Sequence, residues 1–275
     1  YTLWHTLSLH DALPIFSLPD AYYQAGLFAL LLDRASEAVC HYSAGIFHST
    51  TAQIVEVCRR FEQLADCLED RLPAFSWVRR LLLAGKVSKL IHDAGSDRDG
   101  DGGSGAVRLQ EARDDLTDVR SGFDTAFSDP IVIVAGGTDA TVQGRLEKYG
   151  ALLRVAFDGF RGTVVSGGTR AGVCGLVGDL RDRGPSDSPA LRLVSYVREQ
   201  LPTWAPPDAE HYEIFTIPGS GFSVLEPIQF WVDAIADGTD PADVKLIGIN
   251  GGSISAAEYR MAVALGAEVG ILPDS

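Results

Sequence analysis

Three runs of apolar, largely β-branched residues stop at a Gly-Gly pair and a small polar residue. They are IVIVAGGT (Ile131–Thr138), TVVSGGTRAG (Thr163–Gly172) and KLIGINGGSIS (Lys245–Ser255). A buried strand that ends at paired glycines and starts a helix leaves bare backbone N–H groups at a positive helix end, which suits a phosphate. At the first junction Gly136 and Gly137 let a ligand approach the backbone, and Thr138 or Asp139 can cap the next helix. At the second, Gly167, Gly168 and Thr169 lead to Arg170, whose guanidinium can hold a phosphate bidentately, and to Gly172 at a helix start. At the third, Gly251, Gly252 and Ser253 precede Glu258. A carboxylate one turn into that helix can bind a ribose hydroxyl or act as an acid–base group. Ser255 and Glu258 also fit an S-x-x-E capping box, which needs no chemistry. The second junction is neither a Walker loop, since the Gly-Lys-Ser/Thr ending is missing there, nor the GxGxxG fingerprint.

Other polar clusters carry less. Pro218–Gly221 reads as a further turn ahead of Ser223 and Glu226, and Glu226-Pro227 reads as a helix start at the ligand edge. His211 falls at the wrong end of its strand for a hydrolase triad. Asp97, Asp99, Asp101 and Gly102 imitate the opening of a calcium loop, but Arg108 stands where a bidentate Glu is required. The cysteines (Cys40, Cys58, Cys67, Cys174) and the scattered His41, His48 and His92 lack metal-ligand spacing, so no metal site is expected. Buried reduced thiols, and with them a cytoplasmic location, are the expectation.

These groups need a scaffold, and the periodicity supplies one. Strand patterns near Ile131–Ala135, Thr163–Ser166, Leu191–Val197, Tyr212–Ile217, Val244–Ile249 and Glu268–Leu272 alternate with helical patterns near Ala140–Phe160, Gly172–Asp182, Pro227–Asp237 and Ala256–Leu265. Strands apolar on both faces and separated by helices predict an α/β, Rossmann-like, doubly wound parallel sheet with its ligands at the carboxyl ends of the strands. A small all-α region over 16–92 is predicted ahead of it, with Leu27, Leu31, Ala35 and Ala38 on one stripe and Ile54, Val57, Cys58, Phe61, Leu64 and Leu68 on another. A flexible acidic, glycine-rich linker over 93–106 and a charged linking helix over 107–128 are expected to join the two, with the α/β domain occupying 129–275.

The 275 residues are 46% hydrophobic, enough for a core in one large or two modest domains. A formal net charge of −14 argues against a nucleic-acid partner. The apolar stretch Gly26–Leu32 is too short to cross a bilayer. Thr6–Ile15 resembles the translation of a sequencing adapter, so residues 1–15 are expected to carry no structural meaning. The chain is expected to be a fragment at both ends.

The sequence from Asp129 to Ser275 resembles the SLOG superfamily, named for Smf/DprA-type and Lonely Guy-type proteins. It is most similar to a prokaryotic branch like the SLOG domain of melastatin-type TRP channels. The motifs that carry the likeness are DPIVIVAGGTDA, GTVVSGGTRAGVCGLVGDL, EPIQFWVDAI and VKLIGINGGSISAAEYRMAVALGAEVGIL. The resemblance implies a Rossmann-like fold and a nucleotide-derived ligand. Lonely Guy-type enzymes release a base from a nucleoside monophosphate and carry GGxGTxxE. The matching positions run from Gly251 to Glu258, with Ile254 in place of the third glycine. A β-branched residue there resists positive φ and crowds a phosphate on the backbone.

The leading expectation is therefore a sensor of a nucleotide-derived small molecule that requires no cofactor, in prokaryotic stress or conflict signalling. Its helical region would contact an effector or a second copy. A nucleotide hydrolase using Glu258 with Arg170 as a clamp, and a structural oligomerisation domain without ligand, are the alternatives.

Overall fold

The computed structural model describes residues 17–96, 102–137, 143–181 and 191–272. The chain separates into two compact units, Tyr1–Leu116 and Thr117–Ser275.

The first unit is helical: α1 (Leu18–Leu31), α2 (Ala35–His48), α3 (Thr51–Leu68), α4 (Phe75–Ser96) and α5 (Gly102–Thr117). Ser17 caps α1 by accepting from the Asp20 N–H, and Thr50 and Gln53 form a reciprocal capping box on α3. Helices α1 and α2 lock through a reciprocal exchange of glycine and tyrosine. A Cβ on Gly26 would lie 2.7 Å from the Tyr42 ring, and one on Gly45 would lie 2.6 Å from the Tyr23 ring. The predicted stripe through Leu27, Leu31, Ala35 and Ala38 does not form, because α1 ends at Leu31 and the chain turns before α2. The buried α1 face is instead Tyr23, Gly26, Ala29 and Leu30. The second stripe holds, with Ile54, Cys58 and Phe61 buried on α3. Helix α4 runs on through Ser96 and α5 begins at Gly102, so helix occupies both flanks of the expected linker. Helix α5 buries Ala112 and Leu116 and pairs Asp115 with Lys86 at 2.8 Å. Asp97, Asp99 and Asp101 lie outside the described residues, as do residues 1–16.

The second unit is an α/β fold around a six-stranded parallel sheet. Its strands are β1 (Ile131–Gly136), β2 (Gly162–Val165), β3 (Leu191–Gln200), β4 (Glu213–Ser220), β5 (Lys245–Ile249) and β6 (Glu268–Ile271), in the order β4-β3-β2-β1-β5-β6. Every pairing is parallel. Five consecutive β1 residues, Ile131 to Ala135, are buried, because helices cover both faces of the strand. On one face Val132 and Val134 pack with Tyr149, Leu153 and Phe157, which belong to α6 (Gln143–Ala156) and the turn after it, and with Val173 and Val177 of α7 (Gly172–Gly178). The other face carries α8 (Leu225–Ala236) and α9 (Ser253–Leu265), where Phe230 meets Tyr196 of β3 edge to face at 6.3 Å. Strands β3 and β4 are joined by residues 201–212 without a helix. The segment Pro218–Ser220, expected as a turn, is the end of β4. This edge strand tolerates a proline because one side of its backbone is unpaired.

Two carboxylates, one buried and one partly exposed, tie the entry segment to α8. Asp233 is fully buried and accepts from the Ser121 N–H (2.9 Å), Ser121 Oγ (2.5 Å), Tyr196 Oη (2.7 Å) and Gln229 Nε2 (3.0 Å). Asp237 accepts from Thr125 Oγ1 at 2.6 Å and pairs with Arg120. Four donors on one carboxylate offset the cost of burying it.

Candidate functional site

The sheet order reverses between β1 and β5, and open α/β sheets take ligands in the crevice at that switch point. The loops after these two strands meet there, so that a Cβ on Gly137 would lie 3.6 Å from the Gly251 Cα. Tyr259 straps them together, its hydroxyl donating to the Asn250 carbonyl at 2.6 Å and reaching the Ala135 carbonyl at 3.4 Å. The left-handed backbone of this loop falls on Asn250 (φ 55°) and Gly251 (φ 135°). Asn250 tolerates it by turning its side-chain oxygen onto the Gly251 N–H at 2.7 Å.

A cavity of about 720 Å³ opens at this edge, within the range that takes a small organic ligand. Backbone from all three glycine junctions lines it, through Gly136, Gly137, Gly167 and Gly252. The start of α9 lines it too, with Ser253, Ile254 and Ser255. That helix begins at Gly252 with no side-chain cap, so its first N–H groups have no side-chain acceptor at the cap. The anticipated Ser255–Glu258 capping box is therefore absent. The helix starts three residues earlier, which puts Ser255 and Glu258 inside it. The S-x-x-E pattern works instead at α8. There Ser223 Oγ accepts from the Leu225 N–H at 3.2 Å, and Glu226 accepts from the Ser223 N–H (3.3 Å) and Oγ (2.6 Å). Glu226 is thus a helix-start residue and a cavity residue at once. Ile254 is helical, so its side chain adds apolar surface to the wall without backbone strain.

The glycines divide by role. Gly137 and Gly252 border the cavity with space beside them. Gly136 also borders it, but its missing side chain is a packing requirement: a Cβ would lie 2.2 Å from the Ile249 carbonyl oxygen. Gly168 (φ 63°) and Thr169 are not among the lining residues. A Cβ on Gly168 would strike Ser195, and Thr169 is buried in an antiparallel bridge with Pro207. Gly172 (φ 63°) opens α7, and the Val173 N–H after it donates to the Gly137 carbonyl at 3.2 Å. Thr138 lies outside the described residues.

Arg170 is not brought to the cavity. Its guanidinium, 57% exposed, lies 3.1 Å from Glu210 and 3.6 Å from buried Asp208. Asp208 also holds His211 Nδ1 at 2.7 Å, and its N–H donates to the Gly168 carbonyl at 2.9 Å. The second junction therefore grips the 201–212 connection. That connection sends Leu201 and Trp204 to the cavity, where Trp204 meets Phe222 at 5.8 Å between centroids. These apolar residues were not anticipated. Their only signal was large side chains in a proline-rich loop, and which strand end they cover depends on the fold.

The chemistry concentrates on Glu258. It lies in the wall one turn into α9, and burial first, then the nearby Glu226 carboxyl, pushes its pKa up to about 8. Burial also raises Glu226 despite the Ser223 hydrogen bonds. The Tyr259 phenol rises to about 12 through burial and the neighbouring Glu258. Cys174 is buried at the cavity floor with its thiol pushed up, an inert sulfhydryl. Of the other cysteines, Cys58 is buried, Cys40 half-buried and Cys67 exposed, so only two meet the expectation of buried thiols. Among the described residues no His/Cys/Asp/Glu group could hold a metal, and no helix is long and apolar enough to cross a membrane. The chain matches no protein-family model, no curated protein and no solved structure.

Proposed function

We propose that the second unit is a ligand-sensing module of the SLOG type that binds a nucleotide-derived small molecule at the β1–β5 switch point. One observation carries this reading: the uncapped amino end of α9 opens on the same 720 Å³ cavity as the glycine backbone of three strand ends. A phosphate there takes backbone N–H donors and the favourable end of the helix dipole. The role follows the SLOG likeness: cytosolic sensing in prokaryotic stress or conflict signalling, relayed through the helical unit to an effector or a second copy. That unit exposes Phe28 (64%) and Phe47 (51%), apolar side chains suited to such a contact.

A second reading is favoured by Glu258 alone. A carboxyl held protonated near neutrality beside a second carboxyl is the equipment of a general acid for N-glycosidic cleavage. A nucleotide panel separates the two when melting temperature and product release are followed together. Stabilisation without turnover supports sensing. Turnover abolished by Glu258→Ala supports hydrolysis, and no stabilisation by any nucleotide refutes both.

A further inference from the structure

The cavity has a second chemical character, opposite to that of its glycine loops. Trp204 and Phe222 meet at one point of its lining, and Phe222 leads directly into Ser223 and Glu226. Glu226 and Glu258 line the same cavity, and the Glu226 charge opposes ionisation of Glu258. Two aromatic side chains and two carboxyls therefore line a single cavity, with the aromatic pair and Glu226 joined at one end through the Phe222–Glu226 segment. The hydrogen-bond inventory there is lopsided. Ser223 donates to Glu226, but no described residue donates a hydrogen bond to Glu258. Among the described residues no lysine, arginine or histidine lines the cavity. Arg198 favours the ionised form of Glu226 from outside the lining. A part-buried, cavity-facing carboxyl that the protein gives no donors takes them from solvent or from a ligand.

We propose that this end recognises a planar group rich in N–H donors, an amidinium or an amino-substituted ring such as an amino nucleobase. The ring lies against Trp204 and Phe222, and its N–H groups point to Glu258 and Glu226. Ring contact with an aromatic wall supplies affinity with little sequence of polar contacts, and the carboxyls supply selection against acceptor-rich rings. The raised proton affinity of Glu258 agrees with this, since a donor-rich or cationic group relieves the electrostatic conflict between the two carboxyls. The inference rests on the cavity being a ligand site, but not on the ligand being a nucleotide.

Calorimetric titration of the full chain tests it with two pairs: benzamidine against benzoate, which differ in charge as well as in donors, and guanosine against inosine, which differ by one exocyclic amino group. Benzamidine is expected to bind at least about tenfold more tightly than benzoate, and guanosine about tenfold more tightly than inosine. Glu258→Leu is expected to erase both preferences. Glu258→Gln, which keeps the volume and one acceptor, is expected to weaken benzamidine severalfold, with each variant's melting curve confirming that it is folded. Measurable but equal binding of the two members of a pair overturns the donor preference while leaving the nucleotide reading intact. Benzamidine binding with no response to any nucleotide or nucleoside overturns the nucleotide reading and keeps the donor preference. No binding by any of the four probes overturns the proposal.

Discussion

Arg170 lies 3.1 Å from Glu210 and 3.6 Å from Asp208, and it turns its guanidinium toward the 201–212 connection and away from the cavity. An arginine beside a Gly-Gly-Thr turn reads as a phosphate ligand from sequence. In the fold its neighbouring carboxylates already occupy it, so its role is to position the segment that bears Trp204.

Arg170→Ala is accordingly expected to cost only about 1 kcal/mol of stability, since the guanidinium and its nearer partner Glu210 are largely exposed. Any loss of nucleotide affinity should be modest and matched by Glu210→Ala, which touches the same contact. An affinity loss of a hundredfold in Arg170→Ala alone would show that the guanidinium reaches the ligand directly.

Glu258 makes the fold sensitive to pH. Its folded pKa of about 8 lies above the ordinary glutamate value of 4.5, so between these limits the folded state binds more protons than the unfolded one. Stability attributable to this carboxyl therefore falls as pH rises from about 4.5 to about 8. Glu258→Gln removes that dependence. Its melting temperature should gain on the parent progressively across this window, reaching on the order of 2 kcal/mol of extra stability at pH 8. A gain that shrinks with rising pH contradicts the assignment.

Two glycines in the cavity wall should behave oppositely on conversion to alanine. A Cβ on Gly136 would meet the Ile249 carbonyl oxygen at 2.2 Å and Val173 Cγ2 at 2.6 Å, so Gly136→Ala is expected to destabilise by about 3 kcal/mol. Gly252 has open space around its Cβ position and negative φ, so Gly252→Ala should leave the melting temperature unchanged. Its new methyl group borders the start of α9, and nucleotide affinity should fall severalfold. Denaturation and titration of both variants give the comparison.

Removing the Asp233 carboxylate strands a backbone N–H, two hydroxyls and an amide that donate to it. Asp233→Ala should lose about 3–5 kcal/mol in urea denaturation. A loss under 1 kcal/mol would mean that these donors find other acceptors.

Sequence alone determined the architecture of the second unit. Each strand lies within a residue or a few of its predicted place, because a strand buried on both faces must be continuously apolar, as Ile131–Ala135 is. The carboxyl-edge location of the glycine junctions follows from strand direction, and so was legible too. The helical stripe through Leu27 and Leu31 failed because a turn after Leu31 resets the phase, which periodicity does not register. Only the tertiary structure decided which junction residues face a ligand. Gly168 and Thr169 are consumed by packing against Ser195 and Pro207, contacts between segments distant along the chain. The pairing of Glu226 with Glu258 arises the same way. One starts α8 and the other lies in α9, 32 positions later by their numbers, and the sheet order brings both to one cavity. Local periodicity reports which face of an element is buried, whereas the electrostatics of a cavity depend on what another element places across from it.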